Sequence, residues 1–540
     1  MGRNKYYFIP LILGILGLVF HYKKGKTDAI VTAVLFVFTG ILIIIFLNQP
    51  PYEPRERDYS LVGSFQTFCI WIGLGVLFIW DKLRAKTGAV AAAAVSTVIA
   101  LSAPYLMASQ GWDDHDRSGR YLGLDFAKNY LESCPPNAIL FTNGDNDTYP
   151  LWYAQNVEGI RRDIRIINQS LLPTDWYSQV LKHKVYESEA LPLTLTENQL
   201  AAGINDYFLY QEQQNQMPAD LSTLVKELIS SGQQYFTQKR FRIKVDKQAV
   251  LAAGVVPMSD SAKIVDEIMI NYPGNSNSIN KGELVLLDLV ATNAATGWKR
   301  PICFSSTSGD DGFIGLDPYF ERKGLIYQLV PVRSQASRGQ VNNMNPDLMY
   351  DMLMNKYKYS GMKEKKNFYL DDKAAIVPST IQGLFVNTAY EYLSRIEQVK
   401  ATDSSFSNPE NKAKVDEYKK KILAMVNKCK TEIPERVLHM KSDVKYNFAV
   451  LQHEAGDTKA GEKELSELFE YCLKEVNYYL KFGNKKTYYM RGQTKDAFDT
   501  MDRCISLGNY WGATTLTAKW EKTMKDMRTS VNNFINTSPE

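Results

Sequence analysis

Cysteine and histidine are scarce. Six cysteines and five histidines are scattered over 540 residues, with no C-x-x-C pair. That spacing argues against a zinc ribbon or a thioredoxin-like redox centre, and it gives a histidine-based catalytic constellation no support. An external disulfide is compatible with the six positions, but no pairing can be assigned from them. An excess of either charge is also missing: 63 Lys and Arg against 59 Asp and Glu leave a formal net charge of +4. The chain therefore has no polybasic signature, and nothing in the balance points to nucleic acid. No signal peptide with a cleavage site opens the sequence.

What the chain does have is 45% hydrophobic residues, distributed unevenly. Residues 1–108 are largely apolar, and the rest reads as an ordinary soluble sequence. Four segments approach the roughly 20 apolar residues needed to cross a bilayer: about 6–22, 29–47, 61–80 and 88–108. Lys and Arg in short loops favour the cytoplasmic side. Lys23, Lys24 and Lys26 in "HYKKGKTD", and Lys82, Arg84 and Lys86 in "DKLRAK", should therefore face the cytoplasm. It follows that the loop containing "PRERDY" and everything beyond residue 110 lie outside, which in a bacterium is the periplasm. The same topology puts Arg3 and Lys5 outside, against their preference. The expectation drawn from this conflict is that further helices precede residue 1.

The expected fold class is α/β plus α. A membrane region over 1–110 precedes an α/β domain with a mainly parallel sheet over 111–375, then a helical domain over 376–540. After the membrane segments, residues 121–133 have a helical period closed by Pro135 and Pro136. "AILFT" and "IRIINQSLL" read as buried strands, each followed by a helix start. Strand, helix, strand, helix is the pattern of a parallel layer, and ligands gather at the carboxyl ends of such strands. "TNGDNDT" and "LLPTDW" fall there. Residues 187–280 mix helical and polar stretches. "ELVLLDLVATNAATGW" reads as a helix, with "RPICFSST" and "GLIYQLVPV" as further strands. "VKYNFAVLQHEAGDTKAGEKELSELFEYCL" reads as two helices broken at Gly456-Asp457; this hairpin resembles a tetratricopeptide (TPR) unit, without a convincing 34-residue period.

"NQPPYEPRERDYSLVGSFQTFCIWIGLGV", "WDDHDRSGRY", "NAILFTNGDNDTYPLWYAQNVEG" and "TDWY" occur in that order. Together they resemble the bacterial membrane-protein family named domain of unknown function 2723 (DUF2723). That family is grouped with the protein O-mannosyltransferase-like glycosyltransferases of family 117. The resemblance runs over about residues 6–190 and implies a multi-pass inner-membrane protein with a periplasmic region. It also implies a polyprenyl-phosphate sugar donor and a protein acceptor for O-glycosylation. Members usually open with a longer bundle of membrane helices, where the catalytic acid of such enzymes lies. The expectation is therefore the C-terminal part of a membrane glycosyltransferase of GT-C type, inactive without a separately encoded N-terminal half. The alternative is a non-enzymatic membrane-anchored binding or scaffold protein.

Four groups of residues are candidates for substrate contact. In "NGDNDT", Asp145 and Asp147 flank Asn146 as a D-x-D. Carboxylates at this spacing suit a hard divalent cation, the one cofactor the sequence offers. They equally suit a turn and helix cap, or a glycan contact. In "WDDHDR", Asp113, Asp114 and His115 read either as a ligand cluster at the membrane surface or as acidic residues that exclude the segment from lipid and complement the dipole of the next helix. Asp175 and Trp176 of "TDWY", with Trp112 and Trp152, offer sugar stacking or amphipathic anchoring. In "PRERDY", Arg55 and Arg57 suit a lipid phosphate, because the guanidinium fork binds phosphate oxygens in pairs. There Glu56 and Asp58 would orient them. The bland reading of that loop is a solvated, self-compensated turn.

Overall fold

The computed structural model of the chain describes residues 4–49, 57–116, 118–213, 217–230, 232, 234–273, 277–334, 343–364, 368, 370–371, 373–404, 407–481 and 488–536. The chain divides into two compact units, Met1–Gly119 and Arg120–Glu540.

The first unit is helical: α1 (Ile9–Lys24), α2 (Lys26–Phe38), α3 (Ile41–Leu47), α4 (Val62–Thr87) and α5 (Ala89–His115). Three stretches are long and apolar enough to cross a membrane, Lys26–Leu47, Asp58–Thr87 and Ala89–Trp112. The first of the four expected spans stops short. α1 has 16 residues, about 24 Å at ~1.5 Å per residue against a hydrocarbon core of ~30 Å. It packs on α4 at backbone distance. A Cβ added to Gly17 would lie 1.7 Å from the Trp71 carbonyl oxygen, and one on Gly75 would lie 2.1 Å from that of Leu13. Such small-residue seams let helices associate in lipid, where no hydrophobic force separates protein from solvent.

The second unit begins with α6 (Leu122–Ser133), β1 (Ile139–Thr142), α7 (Asp145–Asn156), β2 (Arg165–Asn168) and α8 (Asp175–Val180). An inserted region follows: β3 (Tyr207–Tyr210), β4 (Ala219–Asp220), α9 (Leu221–Ser230), β5 (Tyr235–Phe236), β6 (Arg240–Lys244), α10 (Lys247–Ala252), β7 (Glu267–Asn271) and β8 (Ser278–Asn280). The chain then returns through α11 (Lys281–Ala295), β9 (Ile302–Ser305), α12 (Gly309–Gly312), β10 (Phe320–Lys323) and β11 (Ile326–Leu329).

The main sheet has the order β10-β11-β9-β1-β2. β1 pairs in parallel with both β2 and β9, whereas β11 runs antiparallel to β9 and to β10. The sheet is thus mixed rather than mainly parallel. β10 and β11 are joined by a tight turn at Gly324, whose φ of 59° suits glycine, and a short hairpin connection can only be antiparallel. The inserted region adds two three-stranded sheets, β5-β3-β8 and β4-β6-β7.

Both faces of the main sheet are covered, which is why β1, β2 and β9 are buried along their whole length and apolar at their centres. Ile139, Phe141, Ile167, Ile302 and Phe304 pack with α11 in one core, and Leu140, Ile166 and Cys303 pack with α6 and α7 in another. The second core continues into a helical tier, α13 (Pro346–Asp351), α14 (Ile376–Thr402) and α15 (Pro409–Glu432), through Leu384, Phe385 and Tyr392. Three of the remaining helices, α16 (Ser442–Glu454), α17 (Thr458–Leu480) and α18 (Tyr488–Tyr510), each pack on the next in the chain, ending with α19 (Thr514–Asn536). The break between α16 and α17 falls where the sequence places it. Gly456 takes φ 101°, and the Asp457 side chain caps α17 by accepting from the Ala460 N–H.

Candidate functional site

The carboxyl ends of β1 and β2 diverge. The chain leaving β1 enters α7 on one face of the sheet, whereas the chain leaving β2 carries Leu172, Tyr177 and Leu181 into the core on the other face. Adjacent strands whose exits part in this way open a crevice between them, the usual ligand position in open α/β sheets.

Asp147 builds one wall. Gly144 is the N-cap of α7, in extended conformation and with no side chain to cap. Asp147, three residues on, reaches back instead: Oδ1 accepts from the Gly144 N–H at 2.9 Å and Oδ2 from the Asn143 N–H at 3.0 Å. The hydroxyls of Ser305, the last residue of β9, and of Thr307, two residues on, each donate to Oδ2 at 2.9 Å. With 5% of its surface exposed, this carboxylate ties the end of β1 to the end of β9 and complements the α7 dipole. Asn143 adds a second tie, donating from Nδ2 to the Ser308 carbonyl at 3.2 Å.

β2 ends similarly. Asn168 Oδ1 accepts from the Ser170 and Leu171 N–H groups at 2.9 and 3.3 Å, and the Ser170 hydroxyl donates to the Asn143 carbonyl across the crevice. The Asn168 N–H donates to the Tyr177 hydroxyl at 2.8 Å, and burial pushes that phenol up to about 12.

A cavity of about 190 Å³ lies between these ends, lined by Asn143, Gln169, Ser170, Asn280 and Glu283 among others. Asn280 and Glu283 form the capping box of α11: Asn280 Oδ1 accepts from the Glu283 N–H at 3.0 Å, and Glu283 Oε2 accepts from the Asn280 N–H at 2.8 Å. Burial raises the Glu283 carboxyl, while bonds from the Asn280 N–H and Tyr272 hold it down. Gln169 Nε2 is buried and has no hydrogen-bond partner among the described residues. Larger cavities, of about 390 and 370 Å³, lie in the helical tier. The first of them is lined by charges already paired, such as Arg503 with Asp443 at 3.1 Å.

Of the residues singled out in the sequence, Asp145, Asn146, Asp147, Asp175 and Trp176 stand together at this edge, on the first turns of α7 and α8. The Asp145 carboxylate beside Tyr149 raises the Tyr149 phenol. Asp175 Oδ1 accepts from the Trp176 N–H at 2.8 Å. Trp176 is 56% exposed and meets Tyr177 edge-on at 5.4 Å; Tyr177 is 6.3 Å from Trp152, which stacks on Tyr149 at 5.6 Å. The result is an aromatic row along α7 and α8. Among the described residues no group of three or more His, Cys, Asp or Glu is arranged to hold a metal ion.

The other candidates belong to the membrane unit. Arg55 and Glu56 lie outside the described residues. Arg57 precedes the turn over Asp58–Leu61 that leads into α4, and its carbonyl accepts from the Ser60 hydroxyl at 2.6 Å. Asp58 Oδ1 accepts from the Tyr59 N–H at 3.0 Å. Trp112, Asp113, Asp114 and His115 form the last turn of α5, where His115 Nδ1 donates to the Gly111 carbonyl at 2.7 Å. The residues that sequence reasoning missed are Gln169, Glu283, Ser305 and Thr307. Only the "SSTSGDDG" run after β9 signalled a loop there.

Residues 123–348 match the family described as TMEM260-associated domain 2. A mouse (Mus musculus) protein named "Protein O-mannosyl-transferase TMEM260" is 24% identical over 167 residues. That match covers 28% of this chain and 23% of the mouse protein. No solved structure matches the chain. The likeness is to an O-mannosyltransferase-like family, and its matched region contains the whole crevice.

Proposed function

We propose that the chain serves glycosyl transfer at a membrane, moving a sugar from a polyprenyl-phosphate carrier to protein hydroxyls on the non-cytoplasmic side. The observation that carries this reading is the match of residues 123–348, which contain the crevice, to the TMEM260-associated domain, beside the likeness of part of the chain to a protein O-mannosyl-transferase. The polar cavity and aromatic row support it. Hydroxyl-rich rings need hydrogen-bonding groups at their edges and aromatic rings against their C–H faces. In this reading Arg55 and Arg57, with Glu56 and Asp58, meet the carrier's phosphate at the headgroup level, Asp113, Asp114 and His115 stand near the same surface, and the helical tier is a TPR-like scaffold. The setting we propose is the inner membrane of a bacterium, with the second unit in the periplasm.

A second reading, a membrane-anchored module that binds a glycan or protein without chemistry, draws on Asp147. The most buried carboxylate at the edge is engaged with four protein donors, which suits a binding wall better than an acid or base.

Vesicles from cells making the chain together with the N-terminal half it is expected to need, given a radiolabelled polyprenyl-phosphate hexose and a protein acceptor, should transfer label. Vesicles from cells without the chain should not, and equal transfer by both would remove the enzymatic reading. The orientation has its own test. Cysteines placed at Lys24 and Ala85 should be protected from impermeant reagents in intact cells while one at Ser60 reacts, and the reverse pattern would put the second unit in the cytoplasm.

A further inference from the structure

We infer that the cavity between the ends of β1 and β2 binds a single neutral sugar ring. In the transfer proposed above, on which this inference rests, the second unit recognises a sugar ring and not a phosphate.

Three observations converge on this ligand. The first is size. At about 190 Å³ the cavity falls below the ~300–1,000 Å³ clefts that hold drug-sized ligands, so one ring fits and a nucleotide sugar does not.

The second is charge. Among the described residues that line it, none is a cation, and Glu283 contributes a carboxylate. The N-terminus of α11, which would otherwise attract an anion, already has Glu283 in its capping box. A phosphate is disfavoured there, whereas a polyol can donate hydroxyl protons to the carboxylate and accept from an amide.

The third is the unmet donor. Gln169 Nε2 is buried without a partner among the described residues, and a buried polar group left unpaired is costly unless something else satisfies it. Gly312 keeps the space beside that amide open, since a Cβ there would lie 3.0 Å from Gln169 Oε1 and 3.5 Å from Nε2. The remaining lining, Leu172, Leu286 and Ile314, gives the apolar contact that the C–H face of a ring requires. A turn of the Gln169 side chain brings its buried NH₂ into the cavity that the residue lines; one ligand hydroxyl accepting from it and a second donating to Glu283 would then bridge the wall at the end of β2 and the start of α11.

The test uses the full chain purified in detergent micelles, with methyl α-mannoside and methyl α-glucoside as probes and methyl phosphate as the anionic control. Ligand-observed saturation-transfer NMR should show binding of at least one glycoside, with a Kd of about 1 mM, and none of methyl phosphate. Gln169→Leu removes the donor, and Gly312→Val fills the space beside it. Each should weaken glycoside binding by about tenfold or more, with the melting temperature within about 2 °C of the parent. No glycoside signal, unchanged affinity in both variants, or displacement of the glycoside by methyl phosphate would overturn the inference. Absence of glycoside binding in a chain whose vesicles still transfer label would sink the cavity assignment and leave the functional reading standing. Glycoside binding that is lost in both variants, with no chain-dependent transfer, would keep the sugar site and remove the enzymatic reading.

Discussion

Replacing Asp147 with alanine should lower the stability of the second unit by about 4 kcal/mol, the net worth of several charge-assisted hydrogen bonds less what entering water restores. The expected effect is large because the carboxylate accepts from Asn143, Gly144, Ser305 and Thr307. Without it, two backbone N–H groups and two hydroxyls lose their acceptor at the junction of β1, α7 and β9. At roughly 1 °C per kcal/mol for a unit of about 420 residues, the melting temperature of the full chain in detergent should fall by about 4–5 °C. Asp147→Asn should recover part of the loss, because its one amide oxygen can still accept while its NH₂ now faces donors. An unchanged melting temperature in Asp147→Ala would show that the strand ends are held by something else.

The second large effect is expected on transfer. If Arg55 and Arg57 grip a lipid phosphate, replacing both with alanine should reduce donor-dependent transfer in vesicles by about two to four orders of magnitude at limiting donor. That follows from roughly 1.5–3 kcal/mol for each charge-assisted contact. The membrane insertion of the chain should not change, since both residues stand before α4 and outside its apolar length. Lysine at both positions should recover only part, because a point charge keeps the attraction and loses the bidentate geometry. Normal transfer by the double alanine protein would leave "PRERDY" as a solvated turn.

The parts of this architecture that were legible in the sequence are those set by local pattern. β1 and β2 announced themselves because a strand covered on both faces needs adjacent apolar residues at its centre, Ile-Leu-Phe in one and Ile-Ile in the other, and the break before α17 because Gly456-Asp457 is a cap signal. The carboxyl edge followed from strand order alone, which is why Asp145, Asp147, Asp175 and Trp176 could be placed there. What the sequence concealed depends on contacts between distant segments. Ser305 and Thr307 meet Asp147 from about 160 positions away, and no spacing rule reaches that far. The importance of Gln169 lies in an unmet donor, a property of its surroundings rather than of glutamine. The two small sheets were missed because strands of two to five residues are too short for alternation to register. α1 looked long enough to span because Tyr6 to Phe8 are apolar, yet Tyr7 and Phe8 take positive φ of 50° and 56° and the helix starts only at Ile9.

The most direct measurement of whether this chain serves protein glycosylation is intact glycopeptide mass spectrometry on envelope proteins from matched cells with and without it. The expected result is that a set of peptides carrying hexose on Ser or Thr disappears when the chain is removed, and returns with the parent sequence but not with the Arg55→Ala, Arg57→Ala protein. An identical set of hexose-bearing peptides in both cells would contradict it.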